Sequence, residues 1–204
     1  FGCGPHRGRG DCGGPAGGAA DFPAGLADAL RATAAHSTLI VADTNSTATY
    51  ADGSLGRGVS EVSIDRQEVE AGSRIEATHD GYARRDGFIH KRQLLLATDG
   101  RELVGEDVLL PTGGRRRMQR QAVAVRFHLA PGTEITQTAD GLGALLRIDG
   151  GALWQFRCRG GTLAIEESLW VDESGWPRMT QQLVVSAEAP AGGASISWML
   201  RRAG

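Results

Sequence analysis

Stretches in which apolar and polar residues alternate recur along most of the chain, and Gly, Pro, Asn or Asp residues separate them. Alternation with a period of two is typical of strands that bury one face, and the turn residues mark where such strands end. About twelve such stretches would be enough for two stacked antiparallel sheets. We therefore predict an all-β fold, a two-sheet antiparallel β-sandwich, with strands near 39–41, 59–64, 67–69, 73–79, 88–98, 102–110, 122–129, 134–138, 144–148, 153–158, 163–171, 179–185 and 195–200.

Turn residues add detail to this pattern. The sequence at 87–110 predicts a hairpin with the Asp99-Gly100 pair at its tip, because Asp-Gly suits the tight turns that join antiparallel strands. From residue 122 onward the even spacing of turns predicts a meander. The Ala-rich residues 24–35 favour either one or two helical turns or an extended approach to the strand at 39–41.

The aromatic residues also follow the alternation. Trp154, Phe156, Trp170 and Trp198 each fall on an apolar face, which predicts positions in the core. Trp176 lies between Gly175 and Pro177 in a turn, so we expect this tryptophan near the surface. An exposed indole can stack on a sugar ring, but a single candidate is a weak signal.

Composition narrows the class of protein. The 204 residues can bury one core, and 30 glycines with only 2 tyrosines favour many short strands over a helical bundle. A formal net charge of −2 gives no general attraction to nucleic acid or membranes, and no apolar run is long enough for a span. We predict a Gly-rich irregular lead-in at 1–23, continuing from a missing upstream domain, and one β domain at 24–204.

The sequence gives little indication of disulfide bonds or of a metal site. Cys3, Cys12 and Cys158 are an odd set that cannot all pair within the chain. Cys3 and Cys12 could form a bridge across the Gly-rich loop, and free thiols are an equal alternative. No pair of histidines has a short spacing such as His-x-His, so the sequence predicts neither a metal site nor a cofactor.

One histidine stands out by its position in this pattern. His36 lies three positions before the start of the apolar run 39–41, and Asp43 and Asn45 belong to the turn that ends this run. The histidine thus lies at a strand end beside polar groups that could orient its ring. A histidine at a strand start is also often a purely structural residue.

Four short motifs in this order carry a resemblance to a known family: TAAHSTL at 33–39, HDGY at 79–82, GFIHKR at 87–92 and GED at 105–107. Together they resemble the C-terminal β domain of the heparinase II/III-like polysaccharide lyases. The resemblance implies a fragment that lacks the family's N-terminal α/α toroid domain, which would be its partner. It also implies cleavage of acidic, uronate-containing polysaccharides by β-elimination, in the bacterial periplasm or cell envelope.

The resemblance gives His36 the position of the catalytic histidine of the β domain. Lyases of this kind that hold zinc have a second histidine two residues later, and Thr38 stands there in this chain. The alternative to a lyase is a non-catalytic sandwich module that binds glycan or packs against a partner domain. The two hypotheses differ at His36, which a catalytic role requires to be exposed beside polar neighbours.

Five further side chains are candidates for substrate binding, each with a structural alternative. The guanidinium of Arg31 suits a carboxylate, although a structural ion pair is the more ordinary outcome. Asn45 could orient His36 or simply form its turn. His79 and Tyr82 share one loop, which could reach the same cleft, or His79 could instead cap the loop. His90 faces either the core or the cleft.

Overall fold

The alternating stretches form strands in a computed structural model that describes residues 25–50, 52–113, 120–148, 151–171 and 176–204. Within these ranges twelve strands make two antiparallel sheets of four and eight strands. The predicted two-sheet sandwich of about twelve strands is therefore confirmed. The predicted lead-in at 1–23 and the thiols of Cys3 and Cys12 lie outside the described residues.

The elements follow one another in an almost purely β order. Two short helices, α1 at Leu26–Arg31 and α2 at Ala83–Asp86, and a single 3-10 turn at Thr33–Ala35 are the helical segments of the described chain. The strands are β1 Leu39–Val41, β2 Val62–Val69, β3 Gly72–His79, β4 Phe88–Ala97, β5 Glu102–Pro111, β6 Gln121–His128, β7 Glu134–Gln137, β8 Gly143–Arg147, β9 Leu153–Arg159, β10 Thr162–Val171, β11 Pro177–Ala189 and β12 Ala194–Arg202. No helix among the described residues is long and apolar enough to cross a membrane.

The sheet order shows where the chain changes layer. The small sheet runs β1-β6-β11-β10 and the large sheet runs β2-β3-β4-β5-β12-β9-β8-β7. The predicted hairpin is confirmed as β4 and β5, which pair from Phe88 with Pro111 to Leu96 with Leu103. The predicted meander is right for β7 to β9 but wrong for β6 and β12, which pair with strands distant in sequence. Alternation fixes which side of a strand is buried, and it does not fix the sheet that the strand joins.

Two local expectations are resolved by the backbone. The stretches 59–64 and 67–69 do not form separate strands, because β2 is continuous from Val62 to Val69 and pairs along its length with β3. The strand is exposed at every residue, so the charged pair Asp65 and Arg66 can sit in its middle without a desolvation cost. Residues 26–31 take the helical alternative.

The core fills the space between the sheets. Phe127 of the small sheet meets Phe156 and Trp198 of the large sheet edge to face, with ring centroids 5.0 and 4.8 Å apart. Phe156 and Trp198 are buried as predicted, while Trp154 and Trp170 are half-buried. Trp176 is 65% exposed, which confirms its predicted surface position.

Gly105 determines how Trp198 lies in this core. The two residues are direct partners on β5 and β12, and a β-carbon at Gly105 would stand 2.2 Å from the indole ring. The missing side chain lets the indole cross β5, so that its Nε1 donates to Oδ2 of Asp107 at 2.9 Å. This contact connects the apolar core to a buried polar group.

Candidate functional site

His36 lies where the chain enters the sandwich. The 3-10 turn at Thr33–Ala35 ends at this residue, whose backbone N–H donates to the carbonyl of Thr33 at 3.1 Å. The backbone of His36 is extended and the residue is exposed to solvent. Leu39 of β1, only three positions later, is buried. The imidazole is thus at the surface beside an anchored strand, which is the exposure that a catalytic role requires.

Ala34, two residues before His36, and Ser37, directly after it, are held by side chains of the two sheets. Ala34 accepts a hydrogen bond at its carbonyl from Nε2 of His128 at 2.9 Å. Ser37 accepts at its carbonyl from Nη1 of Arg92 at 2.7 Å, and at Oγ from the backbone N–H of His128 at 3.1 Å. His128 belongs to the small sheet and Arg92 to the large sheet, so both layers hold the His36 segment.

His128 is a buried histidine with a defined tautomer. A carbonyl can only accept, so Nε2 of His128 must carry the proton that it donates to Ala34, and Nδ1 accepts from Oγ of Ser168 at 2.7 Å. Burial lowers the pKa of His128, and the bond to Ala34 only partly opposes this effect. The ring is therefore neutral and points one fixed donor at the His36 segment.

Asp107 is a carboxylate without solvent contact in the middle of β5. Its oxygens accept four hydrogen bonds: from Nε2 of His90 at 2.8 Å, from Nε and Nη2 of Arg92 at 2.7 and 3.0 Å, and from the indole of Trp198. Burial raises the pKa of Asp107, but the His90 hydrogen bond and the Arg92 charge outweigh it and hold the pKa below its usual range. The carboxylate is therefore ionised and fully satisfied.

Two histidines extend this network toward the surface. The backbone N–H of Gly81 donates to Nδ1 of His79 at 3.2 Å, so the proton of that ring lies on Nε2, which donates to Nδ1 of His90 at 3.0 Å. His90 must then donate from Nε2 to Asp107. Burial is the main cause that lowers the pKa of His79 to about 4. The His79 ring is therefore neutral at neutral pH, and the direction of each hydrogen bond in this chain is fixed.

Arg31 and Asn45 brace the approach to His36. Arg31 donates from Nη2 to the carbonyl of Gly53, and Asn45 accepts at Oδ1 from the backbone N–H of Thr33 at 2.8 Å. Both side chains thus tie the segment before His36 to the 43–58 loop. A substrate-binding role for either residue stays a prediction.

Tyr82 and His90 are buried rather than exposed at the surface. Tyr82 is fully buried and donates from its hydroxyl to the carbonyl of Leu39 at 3.1 Å, and burial raises its pKa to about 12. His90 is 3% exposed and forms the hydrogen bonds described above. Their contact with a substrate stays a prediction, and their burial favours a supporting role. The neighbouring Asp80 caps the backbone N–H groups of Ser60 and Glu61.

The family model of the heparinase II/III-like C-terminal domain matches residues 6–199 of this chain. The chain belongs to this family. No curated protein matches the sequence significantly. The match covers both sheets and every element that holds His36, so the heparinase II/III-like domain and the sandwich described above coincide over the described residues.

Solved structures share the fold of this heparinase II/III-like domain. The heparan sulfate lyase HepC from Pedobacter heparinus is similar with a TM-score of 0.69 and 14% identity over 87% of this chain and 25% of that one. A heparinase III, the BT4657 gene product, is similar with a TM-score of 0.64 and 14% identity over the same shares. At this identity the likeness shows the fold. The chain spans about a quarter of the length of these structures.

Sequence reasoning about the heparinase II/III-like domain missed the roles of Asp107, Arg92 and His128. Asp107 is part of the GED motif and lies on the otherwise apolar inward face of β5, which is a signal for a paired buried charge. Arg92 lies two residues after His90 and therefore on the same face of β4. His128 gave no signal beyond its place at a strand end. Among the residues that the structure describes, no three His, Cys, Asp or Glu side chains group as metal ligands.

Proposed function

We propose that this chain is the C-terminal domain of a polysaccharide lyase that cleaves acidic, uronate-containing polysaccharides by β-elimination, with His36 as its catalytic residue. The observation that carries the proposal is the exposed imidazole of His36 on a segment held by both sheets, in a member of the heparinase II/III-like family. An anchored, accessible polar side chain backed by a buried network is the arrangement that catalysis needs.

β-Elimination sets the tasks of the site. A base removes the C5 proton of the uronate, the C4–oxygen bond breaks as the C4–C5 double bond forms, and an acid protonates the departing glycosidic oxygen. The C5 proton becomes acidic enough only when donors neutralise the neighbouring carboxylate. His36 is proposed to donate to that carboxylate, or orient it, from the β-domain side of the cleft.

The other parts of the site would come from an N-terminal α/α toroid domain of the longer protein. The solved structures that share this fold are about four times as long as the part that matches, which leaves room for such a domain. Arg31 and Asn45 hold the segment before His36, and His79 lies at the end of β3. These three side chains would help to bind or orient the polysaccharide. We place the protein in the periplasm or cell envelope of a bacterium, as the family resemblance implies.

The test is the ultraviolet absorbance of the unsaturated uronate product. Full-length protein is assayed on heparan sulfate, alginate and other uronate polymers, as wild type and as His36→Ala. We expect activity on at least one polymer and a loss on the order of 100-fold or more in the variant, because a positioned donor contributes that much. Circular dichroism should show an unchanged fold, since His36 is exposed.

Two outcomes would contradict the proposal. Equal turnover by His36→Ala would remove this residue from the mechanism. Binding of a polymer without any unsaturated product would favour the glycan-binding module, for which the 65% exposed Trp176 is the first residue to replace.

A further inference from the structure

Two side chains from opposite sheets, the buried His128 and the half-buried Arg92, hold the backbone on either side of His36. Arg92 of β4 donates to the Ser37 carbonyl, and His128 of β6 donates to the Ala34 carbonyl. His36 lies between these two anchored residues. We propose that Arg92 and His128 are positioning residues that place the His36 ring for its reaction, an inference that rests on the function proposed above.

The guanidinium of Arg92 is held in one orientation by Asp107. Two of its N–H groups bind the two oxygens of Asp107, at 2.7 and 3.0 Å, which fixes the plane of the guanidinium. The remaining nitrogen of the planar guanidinium, Nη1, then donates to the Ser37 carbonyl. Asp107 is itself held by His90 and Trp198, so the position of Ser37 is set by the buried centre of the large sheet.

His128 sets the other end of the segment. Its ring is 4% exposed and held by Ser168, which leaves Nε2 aimed at the Ala34 carbonyl. Its backbone N–H also binds Oγ of Ser37, so a single residue contacts both sides of His36. Because one anchor belongs to each sheet, the placement of His36 depends on how the two sheets stack.

If the hydrogen bond from Arg92 or His128 is lost, we expect the protein to fold with the His36 imidazole displaced. A shift of about 1 Å in a catalytic group costs up to about 100-fold in rate. Arg92→Lys keeps the positive charge beside Asp107, but one ammonium cannot reach both Asp107 and Ser37 in the same geometry. We expect kcat of full-length Arg92→Lys to fall about 10-fold to 100-fold, with little change in KM.

His128 allows a test by rescue. Glutamine can present its amide N–H near the position of Nε2, whereas asparagine is too short to reach Ala34. We expect His128→Asn to lower kcat as Arg92→Lys does and His128→Gln to restore most of it. The control is Arg74→Lys on β3, where an arginine that is 43% exposed pairs with Glu76, away from the His36 segment.

Double variants separate positioning from a general loss of structure. If Arg92 acts through His36, adding Arg92→Lys to His36→Ala gives no further loss of kcat, because the ring that it positions is already absent. Additive losses would overturn the proposal, and so would full activity in Arg92→Lys. If Arg92→Lys does not fold, the two His128 variants give the same decision.

A second measurement does not depend on activity. The ring signals of His36 in full-length protein with isotope-labelled histidine are assigned by their loss in His36→Ala. We expect these signals to shift or broaden in Arg92→Lys and His128→Asn and to stay unchanged in Arg74→Lys. An inactive wild type with these shifts would contradict the proposed function alone, and unchanged His36 signals in both anchor variants would overturn the positioning role.

Discussion

At the scale of single residues, the backbone just after β1 adopts an unusual conformation. Ala42 and Asp43 have φ values of 50° and 51°, in the left-handed region that residues with a β-carbon rarely enter. Two such residues in a row form a tight turn, closed by the Thr44 N–H on the Val41 carbonyl at 3.0 Å. Asparagine and aspartate tolerate this region, so Ala42 carries most of the strain.

The strain at Ala42 gives a prediction about stability. Ala42→Val should lower the free energy of unfolding by about 2 kcal/mol, because a β-branched side chain fits the left-handed region poorly. Ala42→Gly should leave it unchanged or raise it by up to about 1 kcal/mol. Urea unfolding measures both. Ala164→Val, at an exposed strand position, is the matched control, and an equal loss there would contradict the strain at Ala42.

At the scale of elements, β5 and β12 are joined by more than their backbone ladder. Gly105 makes room for the Trp198 indole, and the indole nitrogen reaches the Asp107 carboxylate two residues further along β5. The same carboxylate binds Arg92 on β4. One glycine therefore allows three adjacent strands of the large sheet to share a single buried acceptor.

Gly105→Ala tests this arrangement. The added methyl would overlap the indole, displace Trp198 and weaken its hydrogen bond to Asp107, so we expect a loss of about 2 to 4 kcal/mol in the free energy of unfolding. The near-ultraviolet circular dichroism of tryptophan should change as well. Gly192→Ala, where the space around the added atom is open, should change stability by less than about 0.5 kcal/mol. Equal effects of the two changes would show that the indole can move without cost.

At the scale of the whole molecule, the polar network makes stability depend on pH. The pKa of His79 is lowered to about 4, chiefly by burial, from an ordinary value of 6.5. The unfolded chain therefore binds a proton near pH 6.5 that the folded chain does not bind until about pH 4. Stability from this group is complete above pH 6.5 and falls as the pH drops toward 4. The lowered pKa values of Asp107 and His128 act in the same direction.

His79→Gln should flatten this dependence. Between pH 7 and pH 4 the wild type should lose on the order of 1 to 2 kcal/mol more than the variant, a figure reduced for the partial exposure of the ring. Thermal unfolding across this pH range measures the difference. A wild-type slope in His79→Gln would exclude His79 as its source.

The sequence by itself determined the class of fold and the place of the candidate histidine. The alternation predicts the strands, Asp99-Gly100 predicts the β4–β5 hairpin, and the turn after 39–41 predicts that His36 lies at the mouth of a strand. Each of these properties depends on residues that are neighbours along the chain. Trp176 belongs to the same class, because its turn residues predict its exposure.

Only the tertiary structure decided which side chains stand behind His36. Arg92 and Ser37 are 55 positions apart, and His128 and Ala34 are 94 positions apart. The alternation allows His90 to face inward, and the sequence places Tyr82 only in a loop, so the burial of both depends on what covers them in the fold. The period of a strand fixes the side of the sheet for each residue, whereas the stacking of two sheets fixes which inward residues meet. The support of His36 is therefore a property of the closed sandwich.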